Sequence, residues 1–188
     1  MHTKEIQATG MVEAPIKSLG SPEMLRMLDI WDVWRAGRPA PAWRDVVLMD
    51  IPRSLSKMAA VVDVLDGGAD FVYRYWGPGL TELFGRDETG TRISDHPVLA
   101  SRIVRNAQLK AVIEGCCPKL FLTTIKKKHI RTVVEKLNLR FPIMDNPDEV
   151  TKILSVCEVD PVSMRDYNDL TWYWLDDPLE ISTPLTYE

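Results

Sequence analysis

Residues 59–90 read AAVVDVLDGGADFVYRYWGPGLTELFGRDETG, and they constrain the chain more than any other stretch. Residues 71–76 are rich in aromatic and β-branched side chains, which suit a pleated, half-buried surface. Residues 59–66 form a second strand pattern, and Gly67-Gly68 between the two is a hairpin signal, so the strands should run antiparallel. Gly77-Pro78-Gly79 ends the second strand. Leu80, Leu83 and Phe84 then follow at helical spacing until Gly85 stops that turn and Gly90 closes the next.

The rest of the chain fits one domain with extensions. Its 188 residues match the usual size of one domain, roughly 100–200 residues. Residues 1–20 are polar and unpatterned and read as a mobile arm. Ser21-Pro22-Glu23 is a helix start, with a hydroxyl cap, proline at the first helical position and an acid in the first turn. That helix should run to about Arg35, with Met24, Met27, Leu28, Trp31 and Trp34 on one face and Ile30 and Val33 widening it. The prolines of residues 38–42 make an extended linker. Residues 79–115 read as helical, the last helix carrying Leu99, Ile103, Ala107 and Ala111 at i, i+4 spacing. Residues 119–127, 132–143 and 152–159 read as three further strands. In the second of these, Val133, Leu137, Leu139 and Phe141 share a face. Residues 162–188 form an aromatic, proline-containing tail expected to drape on the body.

The order helix, strand, strand, helices and three strands agrees with the entry motif. That motif resembles the PAS domain family, and more closely its stand-alone bacterial PAS-like group, whose core reads roughly D-F-R-Y-R-x-x-G and then G-R-x-x-T-G. The matching positions are Asp70, Phe71, Tyr73, Arg74, Gly77, Gly85, Arg86, Asp87, Thr89 and Gly90. The resemblance covers residues 43–161. It implies an α+β fold, a five-stranded antiparallel sheet with helices on one face, plus the N-terminal helix and C-terminal tail. It also implies a regulatory sensor or interaction module that binds a small molecule and signals through a partner protein. The alternatives are a small cone-shaped α+β enzyme or ligand carrier, and a dimerisation adaptor with a filled core.

Composition narrows the partners. A formal charge of −4 argues against a dedicated nucleic-acid binder, which would present a broad basic face. No apolar run approaches the roughly 20 residues of a membrane span. The N-terminus has no signal-peptide core, and three cysteines make no disulfide framework, so the expected setting is cytoplasmic.

Candidate chemistry is sparse. His2, His96 and His129 are the only histidines, and none has a Cys or acid at zinc-ligand spacing, so no metal is expected. Some PAS domains hold haem through one histidine near the position of His96. A lone histidine before Pro97 is more simply a capping or surface group. Cys116-Cys117 is an unfavourable pair for a disulfide. Lys126-Lys127-Lys128-His129-Ile130-Arg131 falls at an expected hairpin tip, where positive charge is ordinarily solvated. Arg74 should face outward and pair with an acid on a neighbouring strand, Asp63, Asp70 or Glu135. No nucleophile-and-base pair or phosphate loop is present, so no catalytic residue is assigned and no enzyme activity is expected.

These readings fix the expectations. A single core should hold Leu80, Leu83, Phe84, Leu99, Ile103, Leu137, Leu139, Phe141 and Val156. A ligand pocket should be lined by Tyr73, Tyr75, Leu83, Ile103 and Leu137, with the ligand and any cofactor unnamed by the sequence. A homodimer should be built on Ile30, Val33 and Trp34.

Overall fold

The computed structural model describes residues 6–84, 86–97, 99–127 and 133–159. The tail from residue 160 onward, His2, Gly85, Val98 and residues 128–132 of the basic cluster lie outside them. The described elements are strand β1 (Ile6–Ala14), helix α1 (Pro22–Arg35), short helix α2 (Arg53–Ser56), strands β2 (Ala59–Leu65) and β3 (Asp70–Trp76), helices α3 (Pro78–Phe84) and α4 (Leu99–Gly115), and strands β4 (Lys119–Lys127), β5 (Val133–Ile143) and β6 (Lys152–Val159). The strands form one antiparallel sheet in the order β1-β4-β5-β6-β2-β3. This is a PAS-like α+β fold, with a sixth strand added at one edge. Ile6–Ala14, read from sequence as part of an arm, supplies that strand by pairing with β4. Its weak apolar alternation left no sign of it, because the partner's backbone supplies the hydrogen bonds.

Both faces of the sheet are covered, and they enclose two cores rather than one. On one face α1 lies over Leu139, Phe141, Ile143, Leu154 and Val156. Ser21 caps the helix as expected, its Oγ accepting from the Met24 N–H at 3.3 Å, and Pro22 occupies the first position. Met24, Met27, Trp31 and Trp34 are the buried stripe. Trp31 lies 6.1 Å from the Phe141 ring and donates its indole N–H to Pro142 O at 3.1 Å. The helix ends where Ala36 and Gly37 turn left-handed.

The other face is covered by α3 and α4, around Phe71, Tyr73, Trp76, Leu80, Ile93, Leu109, Val112, Phe121 and Ile153. Here the expected face of α4 is corrected. Leu99 and Ile103 are 57% and 47% exposed, while Ser101, Gln108, Leu109 and Val112 are buried. The helix is rotated so that part of its polar side points inward. Leu137, Leu139, Phe141 and Val156 likewise belong to the α1 side, not to the core shared with Leu80. Leu83 lies in α3, but its side chain is outside the described set.

The β2–β3 hairpin is the one expected, turning through Gly67 and Gly68. A bulge interrupts it. Val61 pairs with Tyr75 and Val62 with Tyr73, which leaves Arg74 without a partner across the ladder. One extra residue flips the pattern beyond it. Tyr73 and Trp76 therefore share the α4 side, their rings 4.8 Å apart, and Tyr75 turns to the α1 side. Arg74 binds Asp63 at 2.7 Å, as the cross-strand reading anticipated.

Two motif glycines have definite work. The Gly77 N–H donates to Ala59 O at 2.9 Å, and a Cβ there would stand 2.3 Å from Lys57 O and 2.8 Å from Ala59 O. Neither carbonyl is a flexible group that can step aside. Gly77→Ala is expected to destabilise the fold by about 1–3 kcal/mol, the usual cost of overpacking. Urea denaturation checks this, and an unchanged midpoint would contradict the close approach. Gly90, at φ 80°, lets the loop after α3 double back along β3. Gly90 N–H donates to Tyr73 O at 2.7 Å, Tyr73 N–H to Thr91 O at 3.1 Å, and Ile93 N–H to Phe71 O at 2.9 Å. Asp70 fastens the same loop by accepting from the Ser94 hydroxyl at 2.8 Å.

Candidate functional site

A cavity of about 100 Å³ lies between the sheet and helices α3 and α4. Tyr73 and Trp76 enter it from β3, Leu80 and Phe84 from α3, and Ser101, Val104, Arg105 and Gln108 from α4. The floor is the polar side of three adjacent strands. Thr123 comes from β4, Lys136, Asn138 and Arg140 from β5, and Ser155 and Cys157 from β6. Strand alternation explains the grouping: on β5 the even positions face the cavity and the odd positions face α1.

Aromatic rings and cationic side chains meet in the lining of the cavity. Arg140 is 8% exposed. Its Nε and one terminal nitrogen donate to Gln108 Oε1 at 3.1 and 2.6 Å, and the other terminal nitrogen donates to Ser155 Oγ at 2.7 Å. Every one of these acceptors is neutral. Burial pushes the guanidinium pKa down to about 10, so the group still carries its charge at neutral pH. The Lys136 ammonium stands 4.7 Å from the centre of the Phe84 ring. Burial lowers its pKa, helped by the positive charges of Arg105 and Arg140, while the Cys157 thiol beside it acts the other way.

Arg105 completes the group. Its guanidinium carbon lies 5.8, 5.8 and 5.7 Å from the ring centres of Tyr73, Trp76 and Phe84. Within that range aromatic faces attract a cation. One terminal nitrogen of Arg105 and the indole nitrogen of Trp76 are buried with no hydrogen-bond partner among the described residues. Burying a donor without an acceptor costs about 1–3 kcal/mol. Both donors belong to residues that line the cavity.

A buried acid that feels the charge of Arg105 is already engaged. Glu88, 1% exposed, accepts two bonds from Arg86 at 2.6 and 2.7 Å and lies 3.6 Å from the His96 imidazole. Burial by itself would raise its pKa, but Arg86, Arg105 and His96 together hold it below the usual carboxylate range. Glu88 is not part of the cavity wall, and no carboxylate is among the described residues that line it.

The sequence-based candidates are distributed over the whole molecule. Tyr73 lines the cavity. Tyr75 and Leu137 sit on the opposite side of the sheet, packed against the α1 core. Ile103 faces outward from α4, and the Leu83 side chain is outside the described residues. Trp34 is corrected as an interface residue, since it is 6% exposed and its indole N–H donates to Asp50 Oδ2 at 3.2 Å. Ile30 packs partly against the α1 core, and Val33 is 76% exposed. His96, read as a capping or surface group, is buried beside Glu88.

Arg105, Gln108, Lys136 and Arg140 were not among the candidates. Their sign in the sequence was the alternation of Lys136, Asn138 and Arg140 with Leu137, Leu139 and Phe141. On a strand with one wet face that pattern is ordinary. It becomes informative only once α1 and α4 are known to cover opposite faces. Among the described residues no cluster of His, Cys, Asp or Glu could hold a metal ion, and no helix is long and apolar enough to cross a membrane.

Two solved structures are similar to the chain at low identity. A structure of an RNA-binding light-oxygen-voltage receptor is 15% identical with a TM-score of 0.42, over 92% of this chain and 43% of that one. The crystal structure of a sensory box histidine kinase/response regulator from Burkholderia thailandensis is 13% identical with a TM-score of 0.34, over 62% of this chain and 88% of that one. The chain thus spans less than half the length of the light-oxygen-voltage receptor. The sequence matches no protein-family model and no curated protein.

Proposed function

We propose that this chain is a regulatory sensor of the stand-alone bacterial PAS-like group, acting in the cytoplasm. It takes a small molecule into the cavity between the sheet and α3–α4 and passes the occupied state to a partner protein. The observation that carries this reading is the pair of buried, unsatisfied donors, Trp76 Nε1 and an Arg105 nitrogen, at a cavity with cations in its wall. A chain selected only for packing would fill that volume with apolar side chains. Native mass spectrometry of protein purified without denaturation is expected to show a retained small molecule. A fully empty protein that also binds nothing from a metabolite panel would refute the sensor reading.

The enzyme alternative has weaker support. Cys157 is the one nucleophile beside a base in the cavity, and burial pushes its thiol pKa up, which keeps it protonated and unreactive. Turnover of any panel compound would favour the enzyme instead. The acidic balance of the chain supports a protein rather than a nucleic-acid partner.

The proposal includes a homodimer that uses the outer side of α1. Val33, at 76% exposed, is the most exposed large apolar group on that helix among the described residues. Val33→Asp is expected to convert a dimer into a folded monomer in light scattering. An unchanged dimer, or a monomeric unmodified protein, sinks the idea.

A further inference from the structure

We infer that the cavity binds a small organic anion, a carboxylate on a compact aromatic or short aliphatic body; this rests on the ligand-binding reading above. The cavity brings together three cations, Arg105 from α4 and Lys136 and Arg140 from β5, with no carboxylate among the described lining residues. None of the three makes an ion pair within 4.0 Å among those residues: Arg140 donates to neutral acceptors, Arg105 and Lys136 lie over ring faces, and Lys136 is also beside the Cys157 thiol. Removing like charges from water without a counter-charge is unfavourable. An anion in the cavity supplies the missing charge and the missing acceptors at once.

The open donors define the head group. Arg140 is fixed by Gln108 and Ser155, which accept from all three of its nitrogens, and it contributes chiefly field. Lys136, the unpartnered Arg105 nitrogen and Trp76 Nε1 are the donors left to make new bonds. A planar carboxylate with two oxygens can accept from all three. The apolar lining residues Met58, Ala60, Leu80 and Val104 offer no partner to a second charged end. Size sets the body. The volume of about 100 Å³ is of the order that takes up one aromatic ring, since a dry engineered cavity of ~150 Å³ binds benzene.

The test uses the whole chain. Benzoate, phenylacetate and hexanoate are compared with benzamide, phenylacetamide and hexanamide by calorimetry and thermal denaturation, with inorganic phosphate as a head-only probe. At least one carboxylate is expected to bind and raise Tm, at least tenfold more tightly than its amide. Lys136→Met is expected to weaken that carboxylate at least tenfold. The same variant, relieved of an uncompensated cation, should show an equal or higher Tm without ligand. If Lys136→Met does not fold, Arg105→Gln replaces it, with the same loss expected.

Amides binding as tightly as the acids would overturn the anion inference and leave the ligand cavity standing. Phosphate binding more tightly than every carboxylate would overturn the carboxylate head alone. Carboxylate binding that both folded variants leave intact would move the site elsewhere and overturn the inference. No binding by any probe overturns it too, and a retained molecule in native mass spectrometry then decides whether the sensor reading survives.

Discussion

Phe141→Ala is expected to lower the unfolding free energy by about 3–5 kcal/mol, the range for deleting a buried phenylalanine. Phe141 is fully buried in the layer between α1 and the sheet. The cost depends on how far neighbours can collapse into the space left behind. Here they are held. The Trp31 ring, 6.1 Å away, is anchored through its indole bond to Pro142 O, the carbonyl of the adjoining residue. Filling the hole would require breaking that bond, so the upper half of the range is expected. Urea denaturation with an unchanged slope provides the measurement. A loss under about 1 kcal/mol would show that α1 is not packed on β5 as described. Domains carry only about 5–15 kcal/mol in total, so Phe141→Leu is the control that keeps a folded baseline.

Glu88→Gln is the second large effect, about 2–4 kcal/mol of destabilisation. Breaking a buried ion pair by removing one partner usually costs about 3–5 kcal/mol. Arg86, the direct partner, is 39% exposed, so water screens part of that loss. His96 and Arg105 lose a carboxylate whose charge they feel. The dependence on pH follows from the depressed pKa of Glu88. A carboxyl whose pKa is lower folded than unfolded stabilises the fold above its unfolded value, near 4.3. That contribution fades as pH falls through 4.3 toward the lower folded value. Unmodified protein should therefore lose stability on acidification more steeply than Glu88→Gln, and the two curves should converge at low pH. Parallel curves from pH 7 to 3 would show that Glu88 is not charged in the fold.

The sequence made the β2–β3 hairpin, the α1 start and the strand–helix order legible, because each depends on local chemistry. Gly67-Gly68, Ser21-Pro22 and the aromatic run of β3 act within a few residues of themselves. What it concealed depends on distant partners. The bulge at Arg74 has no residue of its own that announces it, yet it exchanges Tyr75 for Trp76 at the cavity. The orientation of α4 misled for a related reason. Apolar Leu99 and Ile103 suggested an inward face, while the face that does turn in carries Ser101, Arg105 and Gln108. Hydrophobic periodicity finds packed interiors, and it fails wherever an interior face carries polar side chains. The motif behind the family resemblance proved structural as well. Asp70, Thr89 and Gly90 shape and fasten the loop beside β3, Tyr73 is the motif position that lines the cavity, and its cationic groups come from α4 and β5.

Strand β5 has consequences for how such a chain can change over generations. Its even positions, Lys136, Asn138 and Arg140, line the cavity, and its odd positions, Leu137, Leu139, Phe141 and Ile143, meet the α1 layer. Parity alone separates the two sets, although they are covalent neighbours. A new charge or a different size at an even site leaves the volume of the α1 layer untouched. The chemistry of the cavity wall is therefore free to drift under selection while the layer that keeps the chain folded is inherited unaltered, and one strand carries two independent lines of descent.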